Sequence, residues 1–516
     1  MIHNDPSIYR FSEAPIWELQ RSYYEQQGIR AWQSEEVPQY ITSNTVIANA
    51  YAEIIFGFLQ DRARLGHISA PVTILELGAG SGRLAFQVLK ELCELIDYAG
   101  LTLPPFRYVM SDLAIRNISY WQQHECLLPF VEQGVLDFAQ FDAVLGTELY
   151  LTQSGLRIRT ADLEQPLLII ANYFFDSIPQ ELLYVDEARI FECDVSLHFP
   201  DKAAHMAPSD LLVTIIPEYH YRRAAEYEQE SYPYHSLIEL YAHKLEDSHV
   251  LLPAVGIACL ERLGQLSQEG FCLLTADKGD HRLNSWEFAE APKLIHHGSF
   301  SLEANYHAIQ YIFEQKGALT LFTKHQYKNL NVGCILMLQE PFNYAHTRLA
   351  YRRFVDRFWP GDFFYLKAWF EEQTDVIELS QLHAFWRLGG YDAQLFLHSA
   401  ERITELLPTS SEQEMNDICM GLHAMWRSYY PIEEKSDLAL ACGMLLVQMD
   451  LFEDALIFFE RSRHIDEADS HVLYTMAICC YETGKEAAAR NYAHRAAALE
   501  PNHEGALALL DLLKLD

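Results

Sequence analysis

The stretch that most constrains this chain is residues 72–84, Val72-Thr-Ile-Leu-Glu-Leu-Gly-Ala-Gly-Ser-Gly-Arg-Leu84. An apolar β-type run, Val72 to Leu75, reaches Glu76, and Gly78, Gly80 and Gly82 then follow in alternation. Apolar residues at helical spacing continue from Arg83 to Ile96. Strand, glycine turn and helix make the entry of a nucleotide-type α/β domain. Glycine is needed where the backbone turns sharply and a ligand approaches the place that a Cβ would fill. A dinucleotide fingerprint wants G-x-G-x-x-G, and here the third glycine comes one place early. A βα turn with no ligand is the plain alternative.

The pattern acid-x-Gly-x-Gly-x-Gly, Glu76 to Gly82, resembles the first motif of the class I S-adenosylmethionine (SAM)-dependent methyltransferases. The resemblance implies that Glu76, Gly78, Ala79, Gly80 and Gly82 hold SAM, with the turn beside its methionine part. The fold it implies is α/β, a Rossmann-like class I methyltransferase sheet.

The strands that follow extend this reading. Arg107 to Ser111 reads as a second strand ending in Asp112. An acid there matches a ribose diol with two acceptor oxygens; a helix N-cap is the alternative. Residues 113–133 read as a helix. Val135 to Ala143 reads as a third strand and its exit. The methyltransferase pattern places an acid and an apolar neighbour there for the adenine, either Asp142 with Ala143 or Asp137 with Phe138. A fourth, fully apolar strand runs from Leu167 to Ala171-Asn172 and meets Tyr173-Phe-Phe-Asp-Ser-Ile-Pro179. Asn172 offers both a carbonyl acceptor and an amide donor to a nucleophile. Tyr173 and Asp176 are further candidates for positioning it, and Phe174 and Phe175 for excluding water. Segments 271–277 and 332–338 read as a late hairpin completing the sheet.

Asn172 to Pro179 also resembles a motif of the MidA-type family, which includes the mitochondrial complex I assembly factor that methylates an arginine of a partner subunit. Tyr40-Ile-Thr-Ser-Asn44, Leu273-Leu-Thr-Ala-Asp-Lys-Gly279 and His297 to Asn305 are similar to further elements of it, in order, across residues 8–340. Two positions depart. Tyr173 stands where the family has a glutamate, and Lys278 where it has a tyrosine. A carboxylate is the natural bidentate partner of a guanidinium. Glu181 is the remaining carboxylate if the turn brings it round.

Residues 1–70 read as a helical N-terminal preface. Trp17, Leu19, Tyr23 and Tyr24 open a helix that stops at Gly28. A second, from Val46 to Leu59, starts behind Thr42-Ser43-Asn44. In methyltransferases such a preface often covers the cofactor; plain packing is the alternative. Residues 71–340 form the expected methyltransferase domain, with an insertion at 186–250 rich in tyrosine (219, 221, 227, 232, 234 and 241). The insertion reads as an amphipathic subdomain or as a lid.

From 341 the pattern is helical throughout, with 341–435 a connector or degenerate repeats. Residues 436–469 and 470–503 align at a period of 34. Ala455 pairs with Ala489, Phe459 with Ala493, Ser462 with Ala496 and Glu467 with Pro501. Small residues at helix crossings and a proline after the second helix resemble tetratricopeptide (TPR) repeats, so 436–516 is expected to be an all-α, TPR-like domain. The implied partner is a protein or peptide; a purely stabilising scaffold is the alternative.

Composition bounds the rest. At 516 residues, about two to four domains are expected. A net charge of −34 opposes nucleic acid and anionic membrane surfaces. No apolar run is long enough to span a bilayer, and the N-terminus lacks a basic then apolar leader, so a cytoplasmic protein is expected. The ten cysteines include no C-x-x-C pair. They read as buried free thiols, and no metal is expected, at His296-His297 or elsewhere. The composite expectation is a SAM-dependent methyltransferase acting on a side chain of a protein recruited by the repeats. A catalytically degenerate scaffold and a small-molecule methyltransferase are the alternatives. Acceptor, methylated atom and oligomeric state are not legible.

Overall fold

The computed structural model describes residues 7–34, 37–200, 206–325, 330–358, 360–434, 436–462 and 469–513. Residues 1–363 and 364–516 are two compact units.

The first unit is organised by a seven-stranded sheet. Its strands are β1 (Val72–Leu77), β2 (Phe106–Asp112), β3 (Leu136–Gln140), β4 (Leu167–Asn172), β5 (Gly270–Asp277), β6 (Leu319–Phe322) and β7 (Asn331–Leu338). Their order is β6-β7-β5-β4-β1-β2-β3. Neighbours from β3 across to β5 are parallel, and β7 is antiparallel to both β5 and β6. Every residue of β1 is buried, as a strand covered on both faces requires. The chain leaves β1 toward β2 and β3, then returns to β4 on the other side. That reversal opens a crevice at the carboxyl ends of β1 and β4, where ligands of open α/β sheets bind.

Two sequence expectations are corrected. β5 and β7 do pair, in register from Gly270–Leu338 to Asp277–Asn331, but they are not a sequential hairpin. A helix, Tyr306–Gln315, and β6 lie between them, and the hairpin is β6 with β7. The single helix expected over 113–133 is two, Ile115–Trp121 and Leu128–Glu132. Pro129 opens the second, because its missing N–H is tolerated only in a first turn.

Three helices precede the sheet: α1 (Pro15–Gln27), α2 (Arg30–Gln33) and α3 (Thr45–Arg64). Asn44 caps α3, its carbonyl oxygen accepting from the N–H groups of Val46 and Ile47. Gly57 lets α3 meet another backbone closely: a Cβ there would lie 2.9 Å from the His346 carbonyl. Asp61 of α3 accepts from the N–H groups of His346 and Thr347, and so ties in helix Ala345–Tyr351. After the glycine turn comes α4 (Arg83–Ala99), which buries Leu84, Val88, Leu89 and Leu92. Each fully buried leucine contributes roughly 1.5–3 kcal/mol relative to exposure.

The tyrosine-rich insertion belongs to a second sheet, all antiparallel, built from Glu181–Asp186, Arg189–His198, Ile216–Arg223, Ser248–Leu252 and Ile8–Tyr9. Tyr227, Tyr234 and Tyr241 are buried in it, with Tyr227 edge-on to Tyr232 at 4.9 Å. Glu181 is held here too, 3.7 Å from Arg10 and accepting from the Tyr232 hydroxyl. The turn therefore does not bring Glu181 round to replace the missing glutamate.

The second unit is helical. Helix Leu438–Gln448 packs on Phe452–Arg461, and Ser470–Glu482 on Glu486–Leu499. The paired positions Ala455 and Ala489, Phe459 and Ala493, and Ser462 and Ala496 are all buried; Glu467 lies outside the described residues. All ten cysteines are free thiols. No described helix is long and apolar enough to cross a membrane.

Candidate functional site

The crevice at the tips of β1 and β4 has the glycine turn with Glu76, Asp112 and Asp142 on one bank, and Asn172, Tyr173, Asp176 and Asp277 on the other. On the first bank, Gly78, Gly80 and Gly82 all have positive φ, 62°, 55° and 85°. A Cβ on Gly78 would meet nothing within 4 Å, whereas one on Gly80 would lie 2.8 Å from the Trp32 ring. Ala79 fixes the turn, donating to the Ser111 carbonyl and accepting from Gly82 N–H. Asp112, at the tip of β2, reaches across: its Oδ2 accepts from Gly80 N–H at 3.2 Å and its Oδ1 from Ala114 N–H at 2.9 Å. Burial raises its carboxyl and these N–H groups oppose the rise.

Glu76 lies below the turn on β1, with its carboxyl accepting from the Tyr108 hydroxyl at 2.9 Å. Burial pushes that carboxyl up to about 8, against the Tyr108 bond. Asp142 and Ala143 follow β3. Asp142 accepts from Val144 N–H and pairs with Arg21 of α1 at 2.7 Å. Burial opposes, but Arg21 and the turn hold its carboxyl below the ordinary value. The competitor, Asp137, accepts from the N–H groups of Phe138, Gln153 and Ser154, which anchors a loop.

On the second bank, the Asn172 amide is engaged from the N-terminal side. Its oxygen accepts from the Tyr51 hydroxyl at 2.7 Å, and its NH₂ donates to the Thr42 carbonyl at 3.3 Å. Tyr173 has φ 47°, in the left-handed region that bulky residues avoid, and its N–H donates to the Ala276 carbonyl. Asp277, at the tip of β5, accepts from the N–H groups of both Phe174 and Phe175 through Oδ2. Asp176 and Asp277 are neighbouring carboxyls, both buried. Burial raises both, and the neighbouring charge of Asp176 raises Asp277 further, so each carboxyl takes up a proton more readily than a free one.

Residues that sequence reasoning missed close the crevice. Tyr24 of α1 donates or accepts with Ser299 at 2.8 Å, and Ser299 meets His297 Nδ1 at 3.2 Å. Burial raises the Tyr24 phenol well above its ordinary value; its Ser299 bond opposes this, and the charges of Asp176 and Asp112 add to it. One side chain is thus within electrostatic reach of both banks. Trp32 stacks on Tyr24 at 6.0 Å and covers Gly80. Only the aromatic content of 17–32 hinted at this. Asp277 was visible in the 273–279 motif, but its approach to Asp176 depends on two strands whose paired residues, such as Phe271 and Leu167, lie 104 positions apart in sequence.

No family model matches the chain, and no curated protein does. Among solved structures, it is similar to an uncharacterized protein from Burkholderia thailandensis, with a TM-score of 0.42 and 13% identity over 66% of this chain and 90% of the other. A member of the same superfamily from that organism, crystallised with S-adenosyl-homocysteine, gives 0.41 and 14% over 69% and 86%. The CMeT domain of citrinin polyketide synthase gives 0.24 and 11% over 52% and 47%.

Proposed function

We propose that the chain is a SAM-dependent methyltransferase that modifies a side chain of a protein partner recruited by its TPR-like helical unit. The observation that supports this most is Asp112 meeting Gly80 across the switch point of the sheet, beside a turn of three positive-φ glycines. The residues fit the cofactor: Gly78 leaves open space where any side chain would intrude. Asp112 would take the ribose diol, Gly78 to Gly82 the methionine part, and Asp142 with Ala143 the base, with Glu76 ordering the turn from below.

SAM, when bound, supplies a methyl group already activated on a sulfonium. The chain's own residues then orient, dry and deprotonate. Trp32, Tyr24 and Phe174 exclude water. Asn172 braces β4 against α3, and Tyr173 borders the acceptor. Asp176, the less strongly raised acid of the pair, takes the proton that the nucleophile loses on methylation.

Calorimetry with S-adenosylhomocysteine tests the reading. The intact protein is expected to bind it, and Asp112→Ala to weaken binding by about tenfold or more, the cost of one to two hydrogen bonds to a charged group. No binding by the intact chain would overturn it. A second reading is an interaction scaffold without catalysis, favoured by the engagement of both Asn172 amide groups within the chain. Incubation of labelled SAM with lysate separates the readings. Label in a protein supports the first, label in small molecules points to a small-molecule acceptor, and no label supports the scaffold.

A further inference from the structure

The helical unit holds a second cluster of chemistry-bearing side chains, unrelated to the sheet. Cys419 and His423 stand one turn apart on helix Glu412–Ser428, so they share a face. Asp454 sits in the first turn of helix Phe452–Arg461. Their sulfur, ring nitrogen and carboxylate oxygen all lie within 4.8 Å of one another, and His423 Nε2 is 2.7 Å from Asp454 Oδ1. Among the described residues this is the one group of three His, Cys or acidic side chains so placed.

The geometry suits a tetrahedral ion. Zinc binds sulfur at about 2.3 Å and nitrogen or oxygen at about 2.0–2.2 Å, which sets such ligand atoms roughly 3.3–3.6 Å apart. To meet that, His423 Nε2 and Asp454 Oδ1, now hydrogen-bonded at 2.7 Å, must part and exchange that bond for the ion, with all three ligand atoms starting within 4.8 Å of one another. Its surroundings hold it ready. The His423 ring lies 5.4 Å from Phe458, and Trp426 meets Phe458 edge-on at 5.5 Å, which locks the two helices together. Arg461 is the neighbouring cation, and its guanidinium lies over the Trp426 and Phe458 rings. Cys419 is 8% exposed, while the side chains of His423 and Asp454 are 31% and 34% exposed. The soft ligand is therefore inside and the site opens to solvent on one side.

We propose that Cys419, His423 and Asp454 form a zinc site with a fourth position open to water. Thiolate and imidazole together select zinc over magnesium or calcium, which want all-oxygen shells. The ion would clamp helix Glu412–Ser428 to helix Phe452–Arg461, so that metal binding stabilises the helical unit. The plainer arrangement, a His–Asp hydrogen bond beside a packed thiol, predicts no stoichiometric uptake.

Cobalt titration of the full chain distinguishes them. Uptake of one equivalent is expected, with thiolate-to-cobalt absorption that disappears in Cys419→Ser. His423→Gln is expected to weaken zinc binding by more than about tenfold, while Cys480→Ser leaves it unchanged. Circular dichroism checks that each variant keeps its helix content. Thermal unfolding with and without chelator gives an independent reading: the midpoint of the wild type should fall on chelation and that of Cys419→Ser should not. Absence of stoichiometric uptake, or uptake and absorption unchanged in both Cys419→Ser and His423→Gln, would overturn the proposal.

Discussion

The two banks of the crevice are built on opposite principles. The bank on β1 to β3 is made by backbone: glycines at positive φ, and a carboxylate held by N–H groups. The bank on β4 and β5 is made by side chains that the rest of the molecule must hold in place: a braced asparagine, a tyrosine at φ 47° and two buried acids. The first tolerates little change in sequence because three of its residues hold positive φ values that L side chains rarely adopt. The second depends on residues far away, and its chemistry can drift while its shape persists.

Substitutions can break this contrast, beginning with the largest effect. Gly80→Val places a β-branched residue at φ 55° with its Cβ 2.8 Å from Trp32. It should cost about 2–4 kcal/mol of stability in denaturant unfolding and abolish S-adenosylhomocysteine binding in calorimetry. A variant that binds normally would show that the glycine bank is not a ligand site.

Acidity tests the contrast next. The Glu76 carboxyl, pushed up to about 8 by burial, binds a proton in the folded chain that it has lost in the unfolded one. Stability should therefore fall as pH rises from about 5 to 8, by up to about 1.4 kcal/mol per pH unit for this group. Glu76→Gln should flatten that slope, read from urea midpoints at several pH values. Asp176 and Asp277 on the other bank, and Asp112 on the same one, are raised in the same direction and add to the slope that remains.

Tyr51→Phe removes the hydroxyl that the Asn172 oxygen accepts from. Leaving that oxygen unpaired should cost about 1–3 kcal/mol, and it should disturb methyl transfer more than cofactor affinity. The smallest effect is expected from Arg21→Ala. Its pair with Asp142 is partly exposed, so the loss should stay below about 1 kcal/mol and shrink further in high salt.

The sheet was legible because its signals are local. Apolar runs mark β1 and β4, three glycines force the turn, and Asp112 stands at a strand end. Where expectation failed, the deciding contact was distant. The hairpin of segments 271–277 and 332–338 expected from sequence passes over β6, a short, half-buried run weaker in pattern than the largely buried β5. Whether the turn brings Glu181 round to the acceptor is not visible in sequence distance; strand pairing with Leu252 and the ion pair with Arg10, far upstream, hold it in the second sheet. The Cys419–His423–Asp454 cluster was hidden for the same reason. Its ligands span two helices, and neither helix carries the C-x-x-C spacing that the eye seeks.

The Tyr24–Ser299 bond joins residues separated by 275 positions. A chain emerging from the ribosome makes α1 early and Ser299 near the end of the first unit, so α1 waits through most of synthesis for its partner. The sheet strands can pair meanwhile, but the crevice is roofed only after residue 299 arrives. Long-range closure of this kind is slow relative to local pairing. Removal of α1 would also strip Ile16, Trp17 and Tyr23 from the core that holds Leu75 and Leu77 of β1, so the roof and the packing of the sheet would be lost together.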